Sequence, residues 1–129
     1  MIMNLGVHKF LLVFLLIFSF SIKSEPIAGN IAIIQVLDKI TAKVVTLEIN
    51  INQTYQFQSL KIEIYACYKK PPEETPDNFL LIRVIDKSEG DKFTTIYKGW
   101  MISSSPSATP LEHPIYDLWL KDCKIEIDF

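Results

Sequence analysis

Two stretches, Val44 to Ile51 (VVTLEINI) and Leu60 to Cys67 (LKIEIYAC), are written in period two. Val45, Leu47, Ile49 and Ile51 fall on one side against Val44, Thr46, Glu48 and Asn50. Leu60, Ile62, Ile64 and Ala66 alternate with Lys61, Glu63, Tyr65 and Cys67. Successive side chains of a strand point to opposite faces, so each stretch reads as a strand with one face in a core. Similar strands are expected from Ile31 to Leu37, Phe79 to Lys87 and Phe93 to Ile102. A last one is expected at the end, where Cys123, Ile125, Ile127 and Phe129 oppose Lys124, Glu126 and Asp128. About six to seven strands rich in β-branched and aromatic residues predict an all-β fold, a small antiparallel sandwich or barrel.

The connections carry turn chemistry. Asn52-Gln53-Thr54 and Gln58-Ser59 bracket a short aromatic piece, and Ser88-Glu89-Gly90-Asp91 reads as a hairpin turn. Pro71 to Asp77 (PPEETPD) predicts a stiff exposed loop. The longest irregular stretch is Ser103 to Pro114 (SSSPSATPLEHP), whose prolines hold the residues before them extended. Ile115 to Leu120 fits either a strand or a helical turn opened by Pro114. Asn52-Gln53-Thr54 matches the glycosylation triplet, which has meaning only in a eukaryotic secretory route, and is read as an ordinary turn.

Ahead of these strands, Phe10 to Phe20 (FLLVFLLIFSF) follows Lys9 and precedes Ser21-Ile22-Lys23-Ser24. A basic start, a short apolar run and a Ser-rich exit are the parts of a secretory leader, and the run is too short for a hydrocarbon core that needs about 20 residues. Residues 1–24 are therefore expected to be a signal peptide, cleaved after Ser21 or Ser24, and 25–129 a single β-rich domain. An uncleaved leader acting as a tether is the rival. Cleavage would leave no transmembrane anchor. In residues 25–129, eleven Lys and Arg against fifteen Asp and Glu give a net charge of −4. No basic cluster is available to neutralise a run of phosphates, so nucleic acid is not an expected partner.

Cys67 and Cys123 both lie in the exported part, where thiols pair, so a Cys67–Cys123 disulfide is expected. Two free thiols or a metal pair are the alternatives, although the C-x-x-C spacing of zinc and redox sites is missing.

From Lys98 the chain reads KGWMISSSPSATPLEHPIYDLWLKDC. The order GWM, SSP, LEHPxYD, W and a closing Cys resembles a family of exported alphaproteobacterial proteins known as domain of unknown function 2155. LDKITAK, the strand ending in Ala66-Cys67 and the following PPEETP fit the same resemblance, which runs from Ile31 to Cys123. It implies a bacterial periplasmic protein, from a small-genome alphaproteobacterium, with no assigned activity. No catalytic residue is transferred by it.

The densest chemistry is Ser103, Ser104, Ser105, Glu112, His113 and Asp117. A hydrolase could use Ser104 or Ser105 with His113 and Asp117, yet no nucleophile elbow surrounds the serines. Glu112, His113 and Asp117 are too few for a strong metal motif, so neither a metal nor a cofactor is expected. The plainer reading has His113 fixed in an extended turn before Pro114 and Asp117 accepting local hydrogen bonds. Trp100, Tyr116, Trp119 and Tyr97 offer flat rings for a sugar or a protein partner, although Trp100 is expected in the core. The sequence thus predicts a non-catalytic binding module of the cell envelope, contacting a protein or glycan through Trp100, Ser105, Glu112, His113, Tyr116, Asp117 and Trp119, with a hydrolase using the 103–117 loop and a purely structural envelope accessory protein as the alternatives. It does not specify an oligomeric state.

Overall fold

The structure, a computed structural model, describes residues 5–127 apart from the side chains of 5, 88 and 89. A leading helix α1 (Leu5–Ile17) is exposed along its described side chains. Among the described residues no helix is long and apolar enough to cross a membrane. The strands are β1 (Ile27–Ala28), β2 (Ile31–Asp38), β3 (Lys43–Asn50), β4 (Thr54–Phe57), β5 (Leu60–Lys69), β6 (Asn78–Glu89), β7 (Lys92–Ile102) and β8 (Tyr116–Lys124). All pairings are antiparallel. One sheet runs β7-β6-β5, with β1 and β4 side by side along the far edge of β5; the other runs β3-β2-β8. The sheets face each other as a sandwich, and no barrel closes.

The expected strands appear with small changes at their ends, and the aromatic piece at 54–57 becomes β4. Leu47 and Ile49 from β3, Ile34 and Val36 from β2, Leu60, Ile62 and Ile64 from β5, and Leu80, Ile82 and Val84 from β6 fill the space between the sheets. Ile115 to Leu120 resolves as strand, most of it within β8. The terminal strand expected from Cys123 onward does not extend the sheet. β8 stops at Lys124 because its partner β2 begins at Ile31, which pairs with Lys124. Beyond it the side-chain amide of Asn30 stands in for a strand, donating to the Glu126 carbonyl (2.7 Å) and accepting from its N–H (2.7 Å). Asp128 and Phe129 of that expectation lie outside the described residues.

Cys67 and Cys123 form a disulfide that joins β5 of one sheet to β8 of the other, and both residues are buried. Strict alternation places Cys67 opposite Ile64, on the outside. A bulge corrects this: Ile64 pairs with Ile82 and Ala66 with Leu81, so Tyr65 is an extra residue and Cys67 turns inward. The same happens in β8, where Leu120 pairs with Ile34 and Asp122 with Ile33; Lys121 is extra and Cys123 joins Leu118 and Leu120 on the buried face.

The chain crosses between the sheets directly over this bridge. Gly29 donates its N–H to the Cys67 carbonyl (2.8 Å) and Asn30 to that of Lys124 (3.1 Å). A Cβ on Gly29 would lie 3.1 Å from Cys123 Cβ and 3.2 Å from the Lys124 carbonyl oxygen, so the crossing needs glycine.

The bridge closes a loop of 56 positions, which the chain-entropy argument values at about 4 kcal/mol. Replacing both cysteines by Ser is expected to lower the unfolding free energy by about that amount in urea titrations. Gly29→Ala, with the bridge intact, is expected to destabilise by about 1–3 kcal/mol through overpacking alone.

Candidate functional site

The inward positions of β6 run Leu80, Ile82, Val84 and then Asp86, which puts a carboxylate where the alternation demands burial. A buried carboxylate needs a partner. His113 supplies it from the long loop, with Nε2 2.9 Å from Asp86 Oδ2. The other ring nitrogen accepts two backbone N–H groups, from Ile115 and Tyr116, each at 3.1 Å. Nδ1 is therefore the acceptor, and the proton sits on Nε2, donated to Asp86. The ring stacks on Tyr116 at 5.3 Å, and Tyr116 meets Phe57 edge-on at 5.8 Å. Lys39 donates to the His113 carbonyl (2.8 Å). With Leu111 also buried, this part of the loop is a piece of the core.

The start of the loop is tied down separately. Ser103 Oγ and Ser104 Oγ donate to the Asp77 carboxylate at 3.0 and 2.7 Å, and the N–H groups of Asn78 and Ser104 also point at it. Partial burial opposes the Asp77 charge. The hydrogen bonds from Ser104, Asn78 and Ser103 outweigh it, so the carboxyl sits below its ordinary range. Asn78, itself buried, accepts from the Cys123 N–H (3.2 Å) and so links this knot to the disulfide.

The hydrolase arrangement is thus not assembled: both nitrogens of His113 are occupied, and two of the three serines serve Asp77. Ser105 is exposed and opens a short 3-10 turn (Pro106–Ala108) without capping it. Glu112 is exposed, and Asp117 accepts the N–H of Leu118 (2.9 Å). Among the described residues no three His, Cys, Asp or Glu side chains gather as a metal ion would require.

The seven expected site residues lie in separate places. His113 and Tyr116 stand at the end of the sandwich formed by the β2–β3 and β4–β5 turns. Trp119 lies on the outer face of the smaller sheet, donating Nε1–H to Gln35 (3.0 Å), and shares a shallow cleft of about 360 Å³ with Pro106, Ser107, Pro110 and Asp117. Trp100 corrects the expectation of a core residue. Alternation along β7 does separate it from Met101, but Met101 is the buried one and Trp100 is 46% exposed on the outer face of the larger sheet.

That outer face is the most distinctive surface. Cross-strand pairing lines up Ala66, Leu81 and Trp100 in one row, and Tyr68, Phe79 and Ile102 in the next. The Tyr68 and Trp100 rings lie 6.1 Å apart. The row on the other side is charged, Glu63-Arg83-Lys98, with Arg83 3.5 Å from Glu63. The Tyr65 hydroxyl donates to Glu63 at 2.6 Å. That bond, helped by Arg83 and Lys61, holds the Glu63 carboxyl below its ordinary range against slight desolvation. Tyr68 escaped the sequence reading because the bulge at Tyr65 is invisible in the alternation. Asp86 was missed too, although its place as the fourth member of an alternating row with Leu80, Ile82 and Val84 is a signal that could have found it. A cleft of about 480 Å³ at the disulfide end, walled by Ile27, Pro71, Pro72, Pro76 and Ile125, was also not foreseen.

His113→Ala removes the buried imidazole contact to Asp86 and frees two backbone donors, so urea unfolding is expected to show a loss of about 3 kcal/mol. Because the Asp77 carboxyl is depressed on folding, its contribution is present above the ordinary carboxylate value of 3.8 and is lost as pH falls through the folded value. Asp77→Asn is therefore expected to be less stable than the parent at neutral pH, with the difference closing in acid.

Comparison with known proteins places this geometry. A curated protein of Rickettsia prowazekii (strain Madrid E), named uncharacterized protein RP359, is 34% identical over 87 residues, which is 67% of this chain. The chain spans about half the length of that relative, 56%. No solved structure matches. The family model described as "Uncharacterized protein conserved in bacteria (DUF2155)" matches residues 32–123. That span runs from the second residue of β2 to the bridged Cys123 of β8, and the chain belongs to this bacterial DUF2155 family.

Proposed function

We propose that this chain is an exported, non-catalytic interaction module of the bacterial cell envelope, and that it docks a partner protein on the Trp100–Tyr68 face. The observation carrying this reading is the 46% exposure of Trp100 in an apolar row on a sheet face. A large ring there gains nothing for the core, since Met101 already fills the inner position. Tyr, Trp and Arg are the residue types that dominate protein interfaces, usually as an apolar centre with a polar rim. Tyr68, Trp100, Leu81 and Ile102 supply the centre, and Glu63, Arg83 and Lys98 supply a rim of mixed charge that can select a complementary partner.

Export is supported by the N-terminal pattern and by the buried disulfide, since such bonds persist in oxidising compartments. In this reading residues 1–24 direct the chain to the periplasm, and the tie between the sheets keeps the docking face rigid before binding, which limits the entropy lost on association.

A photoreactive side chain placed at Tyr68 is expected to crosslink a discrete envelope protein in intact cells, while one at Glu48, on the other sheet, is not. Trp100→Ala is expected to weaken that partner's binding by about tenfold or more while changing stability by less than about 0.5 kcal/mol. Equal crosslinking from both positions, or none, would reject the docking face. The intact mass of the periplasmic protein tests the leader, with loss of residues 1–21 or 1–24 expected.

A further inference from the structure

We infer that the open end of the sandwich, between the β2–β3 and β4–β5 turns, is a binding site for a neutral saccharide unit. A cavity of about 410 Å³ lies there, within the range of small-molecule sites. One wall is aromatic and apolar: Phe57 and Tyr116, set edge to face at 5.8 Å, with Val45 beside them. Val45 sits on the core-facing side of β3 yet is 40% exposed, so the gap between the sheets is open at this point.

The other wall is polar. Asp38, Lys43 and Gln58 line it. Asp38 is held in place by the N–H groups of Ile40 (2.8 Å) and Thr41 (3.2 Å), which makes it a fixed acceptor. Lys43 is its register partner across the hairpin, so the two charges offset each other. Lys43 feels the Asp38 charge, yet among the described residues no side chain hydrogen-bonds the Gln58 side-chain amide, the Lys43 ammonium or the Tyr116 hydroxyl.

This composition discriminates between ligands. A wholly apolar molecule would bury the amide and ammonium without partners. A phosphorylated ligand would meet one cation beside an opposing carboxylate. A pyranose has an apolar C–H face for the rings and hydroxyls that both donate and accept, and it matches both walls.

The backbone supports the assignment. Ala42 and Gln58, one in each flanking turn, adopt φ of 58° and 51°, a region that favours glycine. Strain of this kind concentrates where a site constrains the chain. At Gln58 the strained backbone carries a side chain that lines the cavity.

The test is titration of the protein with N,N′,N″-triacetylchitotriose and with maltotriose, followed by amide chemical shifts; the two neutral sugars separate an N-acetylated amino-sugar ligand from a plain hexose. Saturable shifts at Lys43, Gln58 and Tyr116 with either sugar are expected. Gln58→Ala, Lys43→Ala and Tyr116→Phe should each weaken binding by about fivefold, the loss of one hydrogen bond. Gln58→Gly should melt higher because the strain is relieved, yet bind as weakly as Gln58→Ala. Absence of saturable shifts with both sugars, shifts centred on Trp100 or Trp119, or unchanged affinity in all three variants would overturn the assignment. None of these readouts depends on the Trp100–Tyr68 docking face.

Discussion

The fold depends on two sulfurs reaching the space between two sheets, and each does so through a one-residue irregularity in its own strand. Without the extra Tyr65 in β5, Cys67 would share the outer face with Lys61 and Glu63. Without the extra Lys121 in β8, Cys123 would point away from Leu118 and Leu120. The two bulges act as a pair, since a single parity switch would bring one cysteine inside and leave the other out. A local feature of a few residues thus joins segments 56 positions apart. The glycine crossing at Gly29 and the Asn78 side chain on the Cys123 N–H are built around that join.

A sandwich of five strands against three leaves part of the larger sheet without a facing strand. The long Ser/Pro-rich loop fills that deficit. Leu111 and His113 turn inward, Asp86 on β6 receives the imidazole, and the Lys39 side chain and backbone N–H hold the loop against the smaller sheet through the His113 and Ile115 carbonyls. Irregular backbone can cover a core only when its polar groups find partners. Ser103, Ser104 and His113 have them, whereas the Thr109 hydroxyl is buried without one. Ser103, Ser104 and His113 therefore serve to tie the loop down, bonded to Asp77 and Asp86, while Ser105 and Glu112 stay exposed.

Strand positions were legible because period two is a strong signal in segments such as VVTLEINI, and the disulfide was legible from compartment and cysteine count. What alternation could not supply was absolute facing. For Trp100 it fixed that Met101 lies on the other side, yet Trp and Met are both large and apolar, so nothing local says which is buried. For Cys67 and Cys123 it gave the wrong side, because a bulge is set by the pairing of two strands and leaves little trace in either. The terminal run CKIEIDF has flawless alternation but no remaining neighbour through Ile127, and a strand without a partner is not stable. The site suffered from the same limit. His113 belongs with Asp86, 27 positions earlier, and no spacing rule links them.

Burial also explains why the two proposed binding surfaces lie where they do. Groups already bonded within the fold, such as His113 to Asp86 and Ser103 and Ser104 to Asp77, are engaged before any partner arrives; the rings and polar groups left over are not. The bulge at Tyr65 that turns Cys67 inward also turns Tyr68 outward, next to Trp100. One backbone irregularity therefore stabilises the sandwich and creates its aromatic face, and the two cannot be separated by mutation of the bulge alone. The opposite end shows the converse logic. There Val45 stays 40% exposed, Tyr116 is half-buried, and Ala42 and Gln58 keep positive φ, a region that favours glycine. The covalent tie between the sheets holds the apolar face and the open end at a fixed distance from each other, so the two proposed sites share one rigid frame.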